Sequence, residues 1–129
     1  MGKRIWVVDD EPLIRAAVLA VLGELDYEAR GFGNAEELYT ALVQEGVNPD
    51  LLVLDQRLPD EYGSTILHSL RERPQYRDIP VIFLTAISEE EAGRLSDLAP
   101  VVHKPFDFTD FVAVVRQQLG DDVPSGADA

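Results

Sequence analysis

Asp9, Asp10, Asp55, Thr85 and Lys104 each stand at the end of a short apolar run. Ile5 to Val8 lead into the first two, Leu51 to Leu54 into Asp55, and Val81 to Leu84 into Thr85. Val101 and Val102 come just ahead of His103 and Lys104. A charge inside such a run is costly to bury, so these groups belong at strand ends, where a sheet opens to a crevice. Several carboxylates in one crevice repel one another, and they either hold a proton or share a cation. An all-oxygen site with open positions suits Mg2+, which keeps several waters and accepts phosphate oxygens. Flanked by a metal and a lysine, a carboxylate can attack phosphorus and form an acyl phosphate. Phosphoryl transfer is mostly positioning and charge stabilisation, so it requires no general base. A hydroxyl such as Thr85 can donate to a phosphoryl oxygen, and Ala86 beside it is small enough to leave access. Each residue taken singly has a plainer reading. Asp55 could begin a turn, Asp9, Asp10 and Glu11 could be acids favoured at a helix N-terminus, and Lys104 could be a solvated surface lysine.

The elements that must position them follow from periodicity. The run Leu51 to Leu54, followed by Pro59 and Gly63, has the length and turn signals of a strand buried on both faces, as in a parallel sheet. The runs at Ile5, Val81 and Val101 are read the same way, and Asp26 to Phe32 gives a weaker strand closed by Gly31 and Gly33. Between the strands, helical spacing predicts five helices. The first opens at Pro12 and carries Leu13, Ile14, Ala17, Val18, Val21, Leu22 and Leu25 as a broad apolar face. The second starts from Asn34 with Glu37 as a capping box and carries Leu38, Leu42 and Val43. A third runs roughly from Ser64 to Arg73. A fourth, opened by Ser88 and Glu91, reaches about Leu98 with few apolar residues. The last, capped by Asp107, aligns Phe108, Phe111, Val112, Val115 and Leu119. Five strands alternating with five helices predict an α/β fold with a parallel sheet. The crossover rule and the size favour a flavodoxin-like, doubly wound order 2-1-3-4-5. Its switch point lies between the first and third strands, so Asp9, Asp10 and Asp55 meet there, with Thr85 and Lys104 on the same rim.

Bulk composition narrows the classes. The 129 residues suit one domain, placed at 1–120, with a small polar tail at 121–129 read as a linker or disordered end. There is no cysteine, and His68 and His103 are too few for a conventional zinc site. No apolar run approaches a membrane span and the N-terminus lacks a signal-peptide pattern, so a cytoplasmic location is expected. A net charge of −13 argues against direct nucleic-acid binding, because phosphates would be repelled.

Val8-Asp9-Asp10, Leu54-Asp55 with Leu58-Pro59 and Gly63, Thr85-Ala86 and Lys104-Pro105-Phe106 stand in this order over roughly Lys3 to Leu119. In this the chain resembles the receiver domains of bacterial two-component response regulators. The resemblance implies that Asp55 is the phosphoacceptor and that Asp10 ligates Mg2+ directly, with Asp9 assisting or acting through water. It further implies a third metal ligand in the backbone carbonyl of Arg57, a switch hydroxyl at Thr85 and a phosphoryl-pairing lysine at Lys104. The Lys104-Pro105 bond is expected to be cis. The implied partners are a sensor histidine kinase or phosphotransfer protein, docking on the first helix, and an output domain or partner protein. A homodimer is compatible with the resemblance.

Two departures stand out. Val101 occupies the place of the family's aromatic switch residue, and the segment from Thr85 to Lys104 is a few residues short. A stiff, small valine is expected not to sweep between two positions, so the response should pass through the curtailed fourth helix. His103, on the same side of its strand as Val101, could lend that response pH sensitivity. Two rival readings remain. A phosphatase of the haloacid dehalogenase type also uses an aspartate nucleophile with Mg2+, but it needs a second aspartate where Arg57 stands. A phosphorylation-independent docking or dimerisation module of the same fold would not use the site at all.

Overall fold

The computed structural model describes residues 2–121. The tail expectation therefore lies, apart from Asp121, outside the described residues. Five strands, β1 (Arg4–Val8), β2 (Glu28–Phe32), β3 (Leu51–Leu54), β4 (Val81–Thr85) and β5 (Val101–His103), alternate with five helices. These are α1 (Pro12–Glu24), α2 (Ala35–Glu45), α3 (Gly63–Arg71), α4 (Glu89–Ser96) and α5 (Phe108–Leu119). The sheet is parallel throughout, in the order β2-β1-β3-β4-β5. Fold class and strand order are as expected, and α4 is short.

The apolar runs are continuous because both faces of the sheet are covered. Trp6, Val8, Leu52, Leu54 and Phe83 face one core, completed by Leu38, Ile66, Leu70 and Leu95 from α2, α3 and α4. Ile5, Val7, Leu51, Val53, Ile82 and Leu84 face the other, against Val18, Leu22, Phe111 and Val115 of α1 and α5. Fully burying one such side chain is worth roughly 1.5–3 kcal/mol. The two outer strands differ from the inner three. β5 has only three residues. On β2, Glu28 and Arg30 are exposed, and Arg30 lies over the Trp6 and Phe32 rings while pairing with Glu45 at 2.7 Å.

Some expectations need correction. Leu13 is 85% exposed and Val43 74% exposed, not core. Leu13 lies five residues before Val18, about 140° round a helix of 3.6 residues per turn, so it points away from the sheet. Val43 is displaced from Leu38 by the same angle. Ala17 is exposed too, and Val18 and Leu22 alone on α1 are fully buried. Phe108 is exposed at the start of α5, its ring edge-on to Phe106. β2 begins at Glu28, because Asp26 takes a left-handed turn (φ 69°) that reverses the chain after α1.

The helix starts are satisfied more elaborately than capping boxes require. Asn34 Oδ1 accepts from the Glu37 N–H at 2.8 Å, but the Glu37 carboxylate accepts from Gly33, not Asn34. The N–H groups of Ala35 and Glu36 donate, both at 3.0 Å, to the two carboxylate oxygens of Asp60, from the loop after β3. Those bonds, the Ala35 one above all, hold the Asp60 carboxyl below its ordinary value of 3.8. Such a depressed value means stabilisation that is present above the unfolded pKa and lost as pH falls through the folded one. Asp60→Ala should cost about 1 kcal/mol at neutral pH and low salt, less at high salt because the carboxylate is exposed. In denaturant titrations the gap between the two proteins should narrow as pH falls below 3.8; a gap that stays constant as the pH is lowered further would contradict the cap.

Candidate functional site

Four strand ends meet at one rim. Asp9 follows β1, Asp55 follows β3, Thr85 ends β4 and Lys104 follows β5 after the exposed His103. Asp55 is 6% exposed and its two oxygens are differently held. Oδ1 accepts from the Thr85 hydroxyl at 2.7 Å and from the Arg57 N–H at 3.3 Å. Oδ2 lies 3.2 Å from Lys104 Nζ. The ammonium, whose side chain is only 8% exposed, also sits 2.8 Å from Asp9 Oδ2 and 2.6 Å from Glu11 Oε1. Lys104 is therefore not a solvated lysine. The Lys104–Pro105 bond is cis, as expected.

One ammonium shared among three carboxylates leaves charge unbalanced. Burial alone would pull the Lys104 pKa down, but Asp9, Glu11 and the field of Asp55 outweigh it, and the pKa stands above its ordinary 10.5. For Asp9, burial pushes the pKa up and exceeds the opposing pull of Lys104 and the Glu11 N–H. The carboxylate is 1% exposed, and its Oδ2 makes no hydrogen bond of acceptable direction despite the nearby ammonium. Oxygens of Asp9, Glu11 and Asp55 all lie within 4.8 Å of one another. A buried oxygen held only by an ion pair, facing two further carboxylates, belongs to a donor set that fits a hard divalent cation such as Mg2+. Asp10, expected as a direct ligand, is exposed and outside this cluster, and Glu11 is in it instead.

Arg15, Tyr39 and Gln56 gave no signal in the sequence yet make contacts around the rim, and Arg57, Gly63 and Glu91 make contacts there that the sequence did not announce. Arg15 of α1 donates to the Asp9 carbonyl at 2.6 Å, along a path that the missing side chain of Gly31 leaves open. The Arg57 guanidinium is exposed and pairs with Glu91 of α4 at 2.9 Å. That ion pair links the loop after Asp55 to the short helix, and it explains why Glu91 does not close a capping box on Ser88, whose hydroxyl accepts from the Glu91 N–H. Tyr39 of α2 donates to Glu61 at 2.8 Å, and burial together with that carboxylate pushes its pKa up to about 12. Gln56, beside Asp55, is buried and bonded to Ser64 through both ends of its amide. Gly63 passes so close to the site that a Cβ on it would lie 2.5 Å from the Asp55 carbonyl oxygen.

A doubly wound parallel sheet with an acidic crevice and a buried lysine at its switch point defines a narrow class. Residues 5–116 match the family model of the response regulator receiver domain, and the chain belongs to that family. The phosphate regulon transcriptional regulatory protein PhoB of Escherichia coli K12 is 37% identical over 123 residues, covering 90% of this chain and 51% of that protein. The DNA-binding transcriptional regulator NtrC of Azospirillum brasilense is 33% identical, over 95% of this chain and 25% of its own length. The chain thus spans about half the length of PhoB and a quarter of NtrC. Among solved structures, response regulator protein TrrA from Thermotoga maritima, in complex with Mg2+ and BeF, superposes with TM-score 0.78 at 34% identity. That match covers 91% of this chain and 99% of TrrA. A putative response regulator from Chloroflexus aurantiacus gives TM-score 0.84 at 26% identity, over 93% and 99% of the two chains. Among the described residues, no helix is long and apolar enough to cross a membrane.

Proposed function

We propose that this domain accepts a phosphoryl group on Asp55 from a sensor histidine kinase or phosphotransfer protein in the cytoplasm, and that the aspartyl phosphate switches an output domain or partner protein. The observation that carries this reading is the Asp55 carboxylate held between the Thr85 hydroxyl and the Lys104 ammonium. A carboxylate oxygen of Asp55 attacks phosphorus, the donor's bond to phosphorus breaks, and the electron pair leaves with the donor. Lys104 and Thr85 then face the phosphoryl oxygens and offset their charge. Mg2+ would be held by Asp9, Asp55 and the Arg57 carbonyl, with Asp10 turning in from its exposed position, and would supply further positive charge at those oxygens. The chain regulates and is not a turnover enzyme, since the group it takes up stays on its own side chain until hydrolysis. The test is incubation with a small phosphodonor, followed by mass spectrometry. A labile adduct that requires Mg2+ and is absent from Asp55→Asn is expected. An adduct that survives the substitution overturns the assignment, and none on the wild type favours the docking module.

The output route in this reading is α4. The Thr85 hydroxyl already sits on Asp55, and Val101 is half-buried against the core that includes Phe83 and Leu95. A new dianion at Asp55 competes with Glu91 for the Arg57 guanidinium, and few apolar contacts hold α4 otherwise. Amide exchange with and without the phosphodonor should change most from Thr85 to His103 and barely differ in Val101→Ala. A silent α4, or a response abolished by Val101→Ala, rules this route out.

A further inference from the structure

The loop from Gln56 to Ser64 carries Arg57, and it is closed at its neck by one residue, through both its backbone and its side chain. The Gly63 N–H donates to the Gln56 carbonyl at 2.9 Å, and the Ser64 N–H donates to Gln56 Oε1 at 2.8 Å. Gln56 Nε2 in turn donates to Ser64 Oγ at 3.1 Å. No side chain at the helix's own N-cap, Tyr62, caps α3, so its first two N–H groups are spent on the residue beside Asp55. Gln56 is only 5% exposed, and an amide at that depth is retained at a cost unless both its ends are bonded. An apolar residue would fill the space without that cost and would leave only backbone bonds to close the neck. Within the neck, Arg57 bridges Tyr62, and its N–H reaches Asp55 Oδ1. The position of Arg57's peptide relative to Asp55 is thus set by the Gln56–Ser64 pair.

We propose that Gln56 is a positioning residue for the divalent cation, its amide clamp on Ser64 holding the Arg57 backbone where it can complete the ligand set begun by Asp9 and Asp55. The proposal rests on reading the Arg57 carbonyl as a metal ligand. Groups that orient ligands without touching the metal typically govern metal affinity by 10–100-fold. Gln56→Met keeps the volume and removes the clamp, whereas Ser64→Ala removes only its hydroxyl partner.

The experiment is calorimetric titration of the wild type and both variants with Mg2+ alone, at a temperature where each is folded by circular dichroism. Mg2+ affinity should fall about tenfold in Gln56→Met and about threefold in Ser64→Ala. With a phosphodonor, the Mg2+ concentration for half-maximal modification should rise by the same factors, while the rate at saturating Mg2+ changes less than about threefold. A purely structural role would lower thermal stability and leave the Mg2+ affinity of the folded protein unchanged. Wild-type affinity in folded Gln56→Met overturns the proposal. If Gln56→Met does not fold, Ser64→Ala decides, and wild-type affinity there overturns it equally. A wild type that binds Mg2+ but forms no adduct defeats the phosphoacceptor reading and leaves the positioning role standing. A wild type that binds no Mg2+ defeats both.

Discussion

Lys104→Met is expected to slow modification of Asp55 by at least about a hundredfold and to destabilise the metal-free domain by about 3 kcal/mol. The first effect follows from removing the one ammonium within 3.2 Å of the Asp55 carboxylate, where phosphoryl charge would develop. Loss of a single preorganised donor at a comparable position typically costs a factor of 10²–10³. The second follows from Lys104 facing Asp9, Glu11 and Asp55 together. Breaking a buried pair typically costs about 3–5 kcal/mol, and the exposed Glu11 carboxylate places this case at the lower end. Mg2+ should recover more stability in the variant than in the wild type, because a cation binding only the folded state stabilises by mass action and now also relieves the repulsion. Denaturant unfolding with and without Mg2+ checks this. Equal Mg2+ increments in both proteins would mean that the lysine does not balance the cluster.

Gly63→Ala should be the most damaging single-methyl change at the site rim. The added Cβ would lie 2.5 Å from the Asp55 carbonyl oxygen and 3.2 Å from the Asp55 carbonyl carbon and from Gln56 Cα. All three are backbone atoms next to the phosphoacceptor, so no flexible side chain can yield. Overpacking of this kind costs about 1–3 kcal/mol, and the upper end is expected, a fall in melting temperature of about 10 °C. The strand end can relieve the clash only by shifting Asp55, so Mg2+ binding should weaken as well. Gly23→Ala is the matched control. Its Cβ meets nothing within 4 Å and its backbone is helical, so the melting temperature should hold or rise. Equal melting temperatures for the two variants would show that the loop accommodates the methyl.

Much of the fold was legible because inner strands covered on both faces announce themselves as unbroken apolar runs. The same logic located Asp9, Asp55, Thr85 and Lys104, since a polar residue ending such a run can only sit at the rim. What stayed hidden depends on chain segments meeting across the fold. Asp60 caps a helix that starts 25 residues earlier, and Glu91 meets Arg57 across 34 residues. No local pattern distinguishes either from a solvated acid. Gln56 gave no signal, for a glutamine after an aspartate looks like loop composition until its amide is found buried. Glu11 stood in plain view within the acid run, but which of the three adjacent carboxylates reach Lys104 is decided by the turn after β1, not by residue type. Leu13 and Val43 failed in the opposite sense, apolar by type and outward by helical angle.

The two outer strands carry a consequence for self-association. An uncovered strand edge offers unpaired N–H and C=O groups to any passing chain and can seed aggregates. β5, with three residues, offers too few such groups to template a neighbour. β2 is longer, but its ion pairs, with Arg4–Glu28 at 3.5 Å and Arg30–Glu45 at 2.7 Å, place charges of both signs along that border. A foreign strand docking there would have to strip water from those charges and displace Arg30 from the Trp6 and Phe32 rings. The protein thereby discourages end-to-end growth of its sheet, by charge at one border and by brevity at the other.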